Sequence, residues 1–223
     1  MNKTTKTVLE IALGVLIVVL AATLYMSMMK PVKFEREYDL RRDACAEKLK
    51  DIRTLEEVYK QAYGCYCGNF DTLFTRLMTE DSLRIILKEV QHHLIPEDVE
   101  LEEMSELEQV KKGYLIRKET YVNPIAQLRE SGKLTLTDEQ IRNLRYVPFP
   151  KGKKYDFTIG AGKVESGGFV VPVFEVKVDL KDLLSDMDKQ QVINKIAALE
   201  QINRYPGWKI GDLENPITEG NFE

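Results

Sequence analysis

Histidine, tryptophan and cysteine are scarce in this 223-residue chain, with two, one and three residues respectively. Three cysteines cannot make the disulfide framework of a small secreted domain. The two histidines are adjacent, His92 and His93, so every Ser-His-Asp arrangement has to draw on that one pair. A G-x-S-x-G elbow is missing. Gly160-Ala161-Gly162-Lys163-Val164 lacks both the glycine spacing of a phosphate loop and the Ser or Thr after its lysine, and a hairpin turn accounts for Gly160, Gly162, Gly167 and Gly168. Basic excess is also lacking: 36 Asp plus Glu against 32 Lys plus Arg leave a formal charge of −4, which gives no reason to expect nucleic acid. With 43% hydrophobic and 30% charged residues, the chain is neither disordered nor a polytopic membrane protein.

Soft metal ligands are confined to Cys45, Cys65, Cys67 and the histidine pair. Cys65-Tyr66-Cys67 is not the C-x2-C knuckle of zinc sites, and neighbouring residues on a helix point about 100° apart. No metal and no cofactor is therefore expected. In an oxidising compartment Cys45 has two candidate disulfide partners, Cys65 and Cys67. The alternative is buried, idle thiols.

What the chain does have is a charge-free run of 19 residues, Ile11 to Met29. At 1.5 Å per residue a helix of that length reaches about 28 Å, close to the hydrocarbon thickness of a bilayer. Lys30, Pro31 and Lys33 follow directly, as at a headgroup boundary, and Pro31 is a place for a bend. A cleaved signal peptide is the competing reading, but the run is longer than a usual apolar signal core and no clean small-residue cleavage site precedes Lys30. The expectation is a short cytoplasmic tail at 1–7, a transmembrane helix at 8–29 and a large domain in the periplasm. Counted literally, Lys30, Lys33, Arg36, Arg41 and Arg42 point the other way, but large domains translocate largely regardless of charge.

Beyond the membrane, Tyr38, Cys45, Leu49, Ile52, Leu55, Tyr59 and Ala62 form one helical stripe, and Gly64 ends it. This gives a helical stalk at 30–64 whose stripe packs either on the chain's own domain or in a coiled coil with a partner. Asn69 caps a helix beginning near Thr72, and Asp81-Ser82 opens another through Leu94, closed by Pro96. Residues 97–108 carry seven acids and no base, so 65–112 reads as a helical segment with an acidic linker. From 113 to 223 the pattern changes to strands at Tyr114–Val122, Lys133–Leu136, Arg145–Phe149, Tyr155–Ile159 and Phe169–Val178. A helix follows at Asp182–Arg204, divided between Asp186 and Asp188, and then a short strand at Trp208–Ile210. Pro172 argues for an edge strand or a bulge. The fold class is α+β: a transmembrane helix continuing into a long amphipathic helix, then short helices and a small, mainly antiparallel sheet with a C-terminal helix.

Leu49-Lys50-Asp51-Ile52-Arg53-Thr54, with Tyr59, Gly64, Tyr66 and Phe70-Asp71-Thr72-Leu73, forms one familiar stretch. Pro172-Val173-Phe174-Glu175-Val176-Lys177 with Arg204-Tyr205-Pro206-Gly207-Trp208-Lys209-Ile210-Gly211 forms another. Together with the anchor these resemble a family of uncharacterised single-pass envelope proteins of Bacteroidetes. That resemblance implies an envelope location and no catalytic residues. Thr7-Val8-Leu9-Glu10-Ile11 and the long helix behind it are also similar to the start of type IV pilins and pseudopilins, although Lys3–Leu9 lacks the glycine that prepilin processing uses.

These readings lead to a non-enzymatic, membrane-anchored structural or interaction subunit of an envelope or secretion assembly. Its partners are the bilayer and other envelope proteins, or itself through the N-terminal helix. The candidate contact residues are Glu10, Tyr38, Leu49, Ile52 and Tyr59. Glu10 at the membrane edge also has a simple local partner in Lys6. The alternative is a periplasmic module that binds glycan or peptide through the basic loop Lys151, Lys153 and Lys154 and a sheet edge at Val171–Val178.

Overall fold

In the computed structural model, which describes residues 3–96 and 104–222, one helix dominates. Helix α1 runs from Lys3 to Tyr63, 61 residues, and continues through Pro31. Its first part, from Ile11 to Met28, is exposed on every side. Its second part carries the predicted stripe, and Tyr38, Cys45, Leu49, Ile52, Leu55 and Tyr59 are all buried. The change occurs at Phe34, the first buried residue. Each fully enclosed Leu or Ile there contributes on the order of 1.5–3 kcal/mol, so the second half of α1 is held by tertiary packing rather than by propensity. The helix expected to be a stalk is in fact the central rod of the folded body. It ends at Gly64, whose φ of 75° only glycine adopts without strain.

Helix α2, Phe70–Thr79, starts at the predicted cap, where the Asn69 side chain accepts a hydrogen bond from Thr72 N at 3.0 Å. It packs Phe70, Leu73, Phe74 and Leu77 into the core. The next segment departs from expectation. Residues 83–90 form strand β1 (Leu83–Val90), not a helix, and pair antiparallel with β2 (Leu115–Val122). The run Leu83-Arg84-Ile85-Ile86-Leu87 fits either periodicity, and a partner 30 residues away in sequence decides it. A one-turn 3-10 helix at His92–Leu94 follows β1. Helix α3, Glu106–Lys111, precedes β2 and is closed by a capping box between Ser105 and Glu108. Most of the acidic run, residues 97–103, lies outside the described residues.

Helices α4 (Pro124–Glu130) and α5 (Asp138–Arg142) come next, and a 3-10 turn at Asn143–Arg145 extends α5. Two predicted strands are absent here. Leu134, within 133–136, is buried with no strand beside it. Residues 145–149 make only a single bridge, Tyr146 to Asp156, before Phe149 turns with a φ of 77°. Strands β3 (Thr158–Ser166), β4 (Phe169–Asp179) and β5 (Gly207–Gly211) form an antiparallel sheet in the order β3-β4-β5. Gly167-Gly168, both at positive φ, make the two-residue hairpin turn between β3 and β4. Gly160 and Gly162 lie inside β3 instead of in the turn, and a Cβ on Gly160 would stand 3.2 Å from Leu213 Cδ1. Helices α6 (Leu180–Leu183) and α7 (Lys189–Gln201) show the predicted division.

β4 is the central strand, which contradicts a simple edge placement for Pro172. However, β5 covers only Glu175–Asp179, so Pro172 faces a neighbour on one side alone, opposite Lys163. A single core cluster extends from Phe34 on α1 to Ile210 on β5. It joins 30–64, 65–112 and 113–223 in one packed body, and the β1–β2 pair crosses the 112/113 boundary.

Candidate functional site: exposed apolar surfaces on a rigid rod

The first candidate surface is the free part of α1. Its side chains from Ile11 to Met28 are apolar or small, and none is covered by the rest of the described chain. Lys30, Lys33 and Arg36 follow, all exposed and without an ion-pair partner among the described residues. Glu10 belongs to the same helix, but its side chain lies outside the described residues.

Predicted contact residues Tyr38, Leu49, Ile52 and Tyr59 are enclosed by the chain's own core. The stripe thus packs on its own domain, and contacts with another molecule must use other faces. Arg41 is the only cation of this helix driven inside among the described residues, at 4% exposure. Its guanidinium forks onto Asp186 at 2.5 and 3.2 Å, donates to Leu183 O at 3.0 Å and to Glu37 at 3.1 Å, and lies 5.6 Å from the Phe149 ring centroid. The hydrogen bonds from Arg41 hold the Asp186 carboxyl below its ordinary range. This arrangement locks the α6–α7 corner to α1.

A second buried ionisable group is Glu56, fully enclosed on α1. One carboxyl oxygen accepts from Cys67 N at 2.8 Å, and the other has no partner among the described residues. Burial raises its pKa to about 8. Nothing in the sequence separates Glu56 from its exposed neighbours except that it follows Leu55 on the stripe side. Cys45, Cys65 and Cys67 are free thiols. Burial pushes the Cys45 thiol up to about 12 and raises Cys67 as well, which is opposite to the shift that activates a nucleophile.

Of the basic loop, Lys153 lies 4.8 Å from the Tyr155 ring centroid and Lys154 lies 4.6 Å from that of Tyr146, with Lys151 exposed beside them. The companion sheet edge at 171–178 is divided. Glu175–Val178 are paired on both sides, and the Pro216-Ile217-Thr218 segment lines a small pocket together with Val171–Phe174. A wider cleft of about 470 Å³ opens between α2 and the α5 turn, lined by Asp71, Phe74, Thr75, Met78, Arg142, Arg145 and Tyr146. There Arg145 is already divided between Asp71 at 2.8 Å and Asp156 at 3.0 Å, which leaves Arg142 as the exposed cation of the rim.

The remaining surface was not foreseen from sequence. β1 and β2 form a two-stranded ribbon whose outer edges pair with no further strand among the described residues, and Ile86, Leu87, Ile116 and Tyr121 are exposed on it. The β3–β4 hairpin extends beyond the reach of β5 and ends in Phe169, 76% exposed, next to exposed Val170. β4 passes from Phe174, its ring tilted against that of Tyr66 after the end of α1, to Val178, opposite the Trp208 that packs on Tyr38. The Phe169 tip therefore lies toward the end of α1 away from its apolar segment, where β1 also begins beside Tyr63. Exposed Ile and Leu on an open strand edge form a template for pairing or docking. No protein-family model, curated protein or solved structure matches this chain.

Proposed function

We propose that the protein is a single-pass membrane subunit of a cell-envelope or secretion assembly, with a binding rather than a catalytic task. In this reading residues 11–29 cross the inner membrane, the body lies on the outer side, and the two far hairpins meet other envelope proteins. The carrying observation is the continuity of α1: one uninterrupted helix is an exposed apolar rod from Ile11 to Met28 and the centre of the folded body from Phe34 onward. With no flexible segment between anchor and body, the body has a fixed position relative to the bilayer, as a scaffold requires and a tethered enzyme does not. The same division of one helix supports the pilin-like variant, in which the apolar halves of neighbouring subunits pack together and Glu10 meets a neighbour's amine. The enclosure of the Cys45 and Cys67 thiols, which raises both above the ordinary thiol range, also favours a binding role.

Photo-crosslinking in intact membranes tests this. A photoreactive residue at Leu87 or Phe169 should give discrete protein adducts, and one at Leu24 should give adducts with lipid or with a second copy. Absence of adducts from both hairpins in cells that contain the membrane-inserted protein rejects the assembly role. Release of the protein by alkaline carbonate rejects the anchor.

A further inference from the structure

Contacts along α1 fix the direction of α7. Arg41 holds Leu183 and Asp186 just before α7, whereas Lys195 within α7 grips both Glu35 oxygens at 3.1 and 2.9 Å and lies 4.3 Å from the Tyr38 ring centroid. Helix α7 therefore descends along α1 toward the apolar segment. Glu35 lies six residues beyond Met29, about 9 Å along the helix axis, and one further turn of α7 from Lys195 to Leu199 covers about 6 Å of that. The turn after α7 thus comes within a few ångströms of the level of Met29, inside a headgroup layer that is about 5–8 Å deep on each side of the hydrocarbon. The burial of Phe34 supports this placement, because the body covers α1 down to that residue.

The turn itself is rigid. Arg204 N donates to Leu199 O and Asn203 N to Glu200 O, both at 3.0 Å, with Asn203 at a φ of 53°; this is a Schellman cap. Beyond it, Tyr205 donates to Asp179 at 2.6 Å, and Pro206 O accepts from Leu180 N at 3.0 Å. At the tip of this braced turn Ile202 is 61% exposed. Arg204 is exposed two residues on, and Lys30, Lys33 and Arg36 lie at about the same depth on other faces of α1, all exposed and without an ion-pair partner among the described residues. The acids nearby are mostly engaged: Glu35 by Lys195 and Asp179 by Lys181, leaving Glu200 exposed. On α1 itself a groove of about 270 Å³ lined by Tyr25, Met26, Met29, Lys30 and Lys33 joins the apolar segment to two of these cations.

We propose that the α7–β5 turn is a second membrane contact, in which Ile202 enters the bilayer interface while Arg204, Lys30, Lys33 and Arg36 bind the phosphates of anionic phospholipids. The proposal rests on the reading that residues 11–29 cross the bilayer. It makes the body a reader of lipid charge as well as an anchored object, because an apolar tip level with unpaired cations gains both hydrophobic and headgroup energy at one depth.

The test uses the full chain in a Cys65→Ser background, reconstituted in phosphatidylglycerol-rich vesicles, with an environment-sensitive dye placed by Ile202→Cys, Leu24→Cys or Phe169→Cys. Nitroxide lipids labelled near the headgroup should quench the Ile202 dye about two-fold or more and leave the Phe169 dye unaffected, while deep nitroxides quench the Leu24 dye. Replacing phosphatidylglycerol with phosphatidylcholine, or combining Lys33→Gln, Arg36→Gln and Arg204→Gln, should reduce the Ile202 quenching. A quenched Leu24 dye with an unquenched Ile202 dye overturns the second contact and leaves the span standing; if neither is quenched, the span fails too. Quenching of Ile202 that ignores lipid charge overturns the headgroup assignment.

Discussion

Glu56 has a measurable effect on stability through one proton. Its pKa rises from 4.5 to about 8 on folding, so between those values the native state holds a proton that the unfolded state has released. Stability from this group is therefore lost as pH rises through that window, by about 1.4 kcal/mol per pH unit. Glu56→Gln keeps an oxygen for the Cys67 amide and removes the titration. The stability of the variant relative to the parent should grow from pH 5 to pH 8 and then level off, as read by urea denaturation at each pH. A constant difference would mean that the carboxylate is hydrated or paired in solution. Arg41 gives the opposite lesson. Arg41 is buried but Asp186 stays open to solvent, so Arg41→Met, which leaves Leu183 O unpaired and Asp186 hydrated, should cost about 1–2 kcal/mol, and Arg41→Lys should recover only part because an ammonium lacks the planar fork that engages both Asp186 oxygens. Differential denaturation of the two variants checks both the loss and its order.

Among the elements, those set by local chemistry could be read from the sequence. The Asn69 cap, the stripe from Tyr38 to Tyr59 and the break near Asp186 each depend on residues within a turn or two of one another. β1 could not be read that way. Its alternation is ambiguous, and the strand state comes from β2, whose place beside it depends on the whole intervening excursion. The same holds for Leu134 and Leu136, which have strand-like spacing but occupy the core as irregular chain. Gly211 shows how an element can depend on a backbone position invisible to pattern. It has a φ of 74°, and a Cβ there would stand 2.2 Å from Phe174 O on the neighbouring strand. Gly211→Ala should therefore lower stability on the order of 2–4 kcal/mol, with the β4–β5 amides losing hydrogen-exchange protection first.

For the whole molecule, the long exposed apolar helix was legible because a 19-residue charge-free run has few other conformations open to it, whereas the surfaces available to partners were not. Sequence marked the stripe residues Tyr38, Leu49, Ile52 and Tyr59 as contacts, since an amphipathic helix looks the same whether it meets its own fold or a stranger. The exposed apolar residues that remain, on the two far hairpins and at Ile202, became visible only after packing had consumed the rest. A rigid link also makes a global prediction. Inserting Gly-Ser-Gly-Ser between Lys33 and Phe34 should leave thermal melting of the body and membrane retention unchanged, while crosslinking through Leu87 and Phe169 is lost or redistributed. Unaltered crosslinks would show that the body needs no fixed orientation.

Pro31 adds a consequence of its own. Lacking an N–H, it leaves the carbonyl of Ser27 without its usual helical donor, two residues inward from Met29. A bare carbonyl is tolerated where water or a lipid phosphate region can reach it and is costly in oil. In the proposed reading, with residues 11–29 across the bilayer, that oxygen points along the helix to the hydrocarbon edge, and sinking the rod by one turn would drag it well inside. The proline then acts as a waterline painted on the hull, setting how deep such a protein rides.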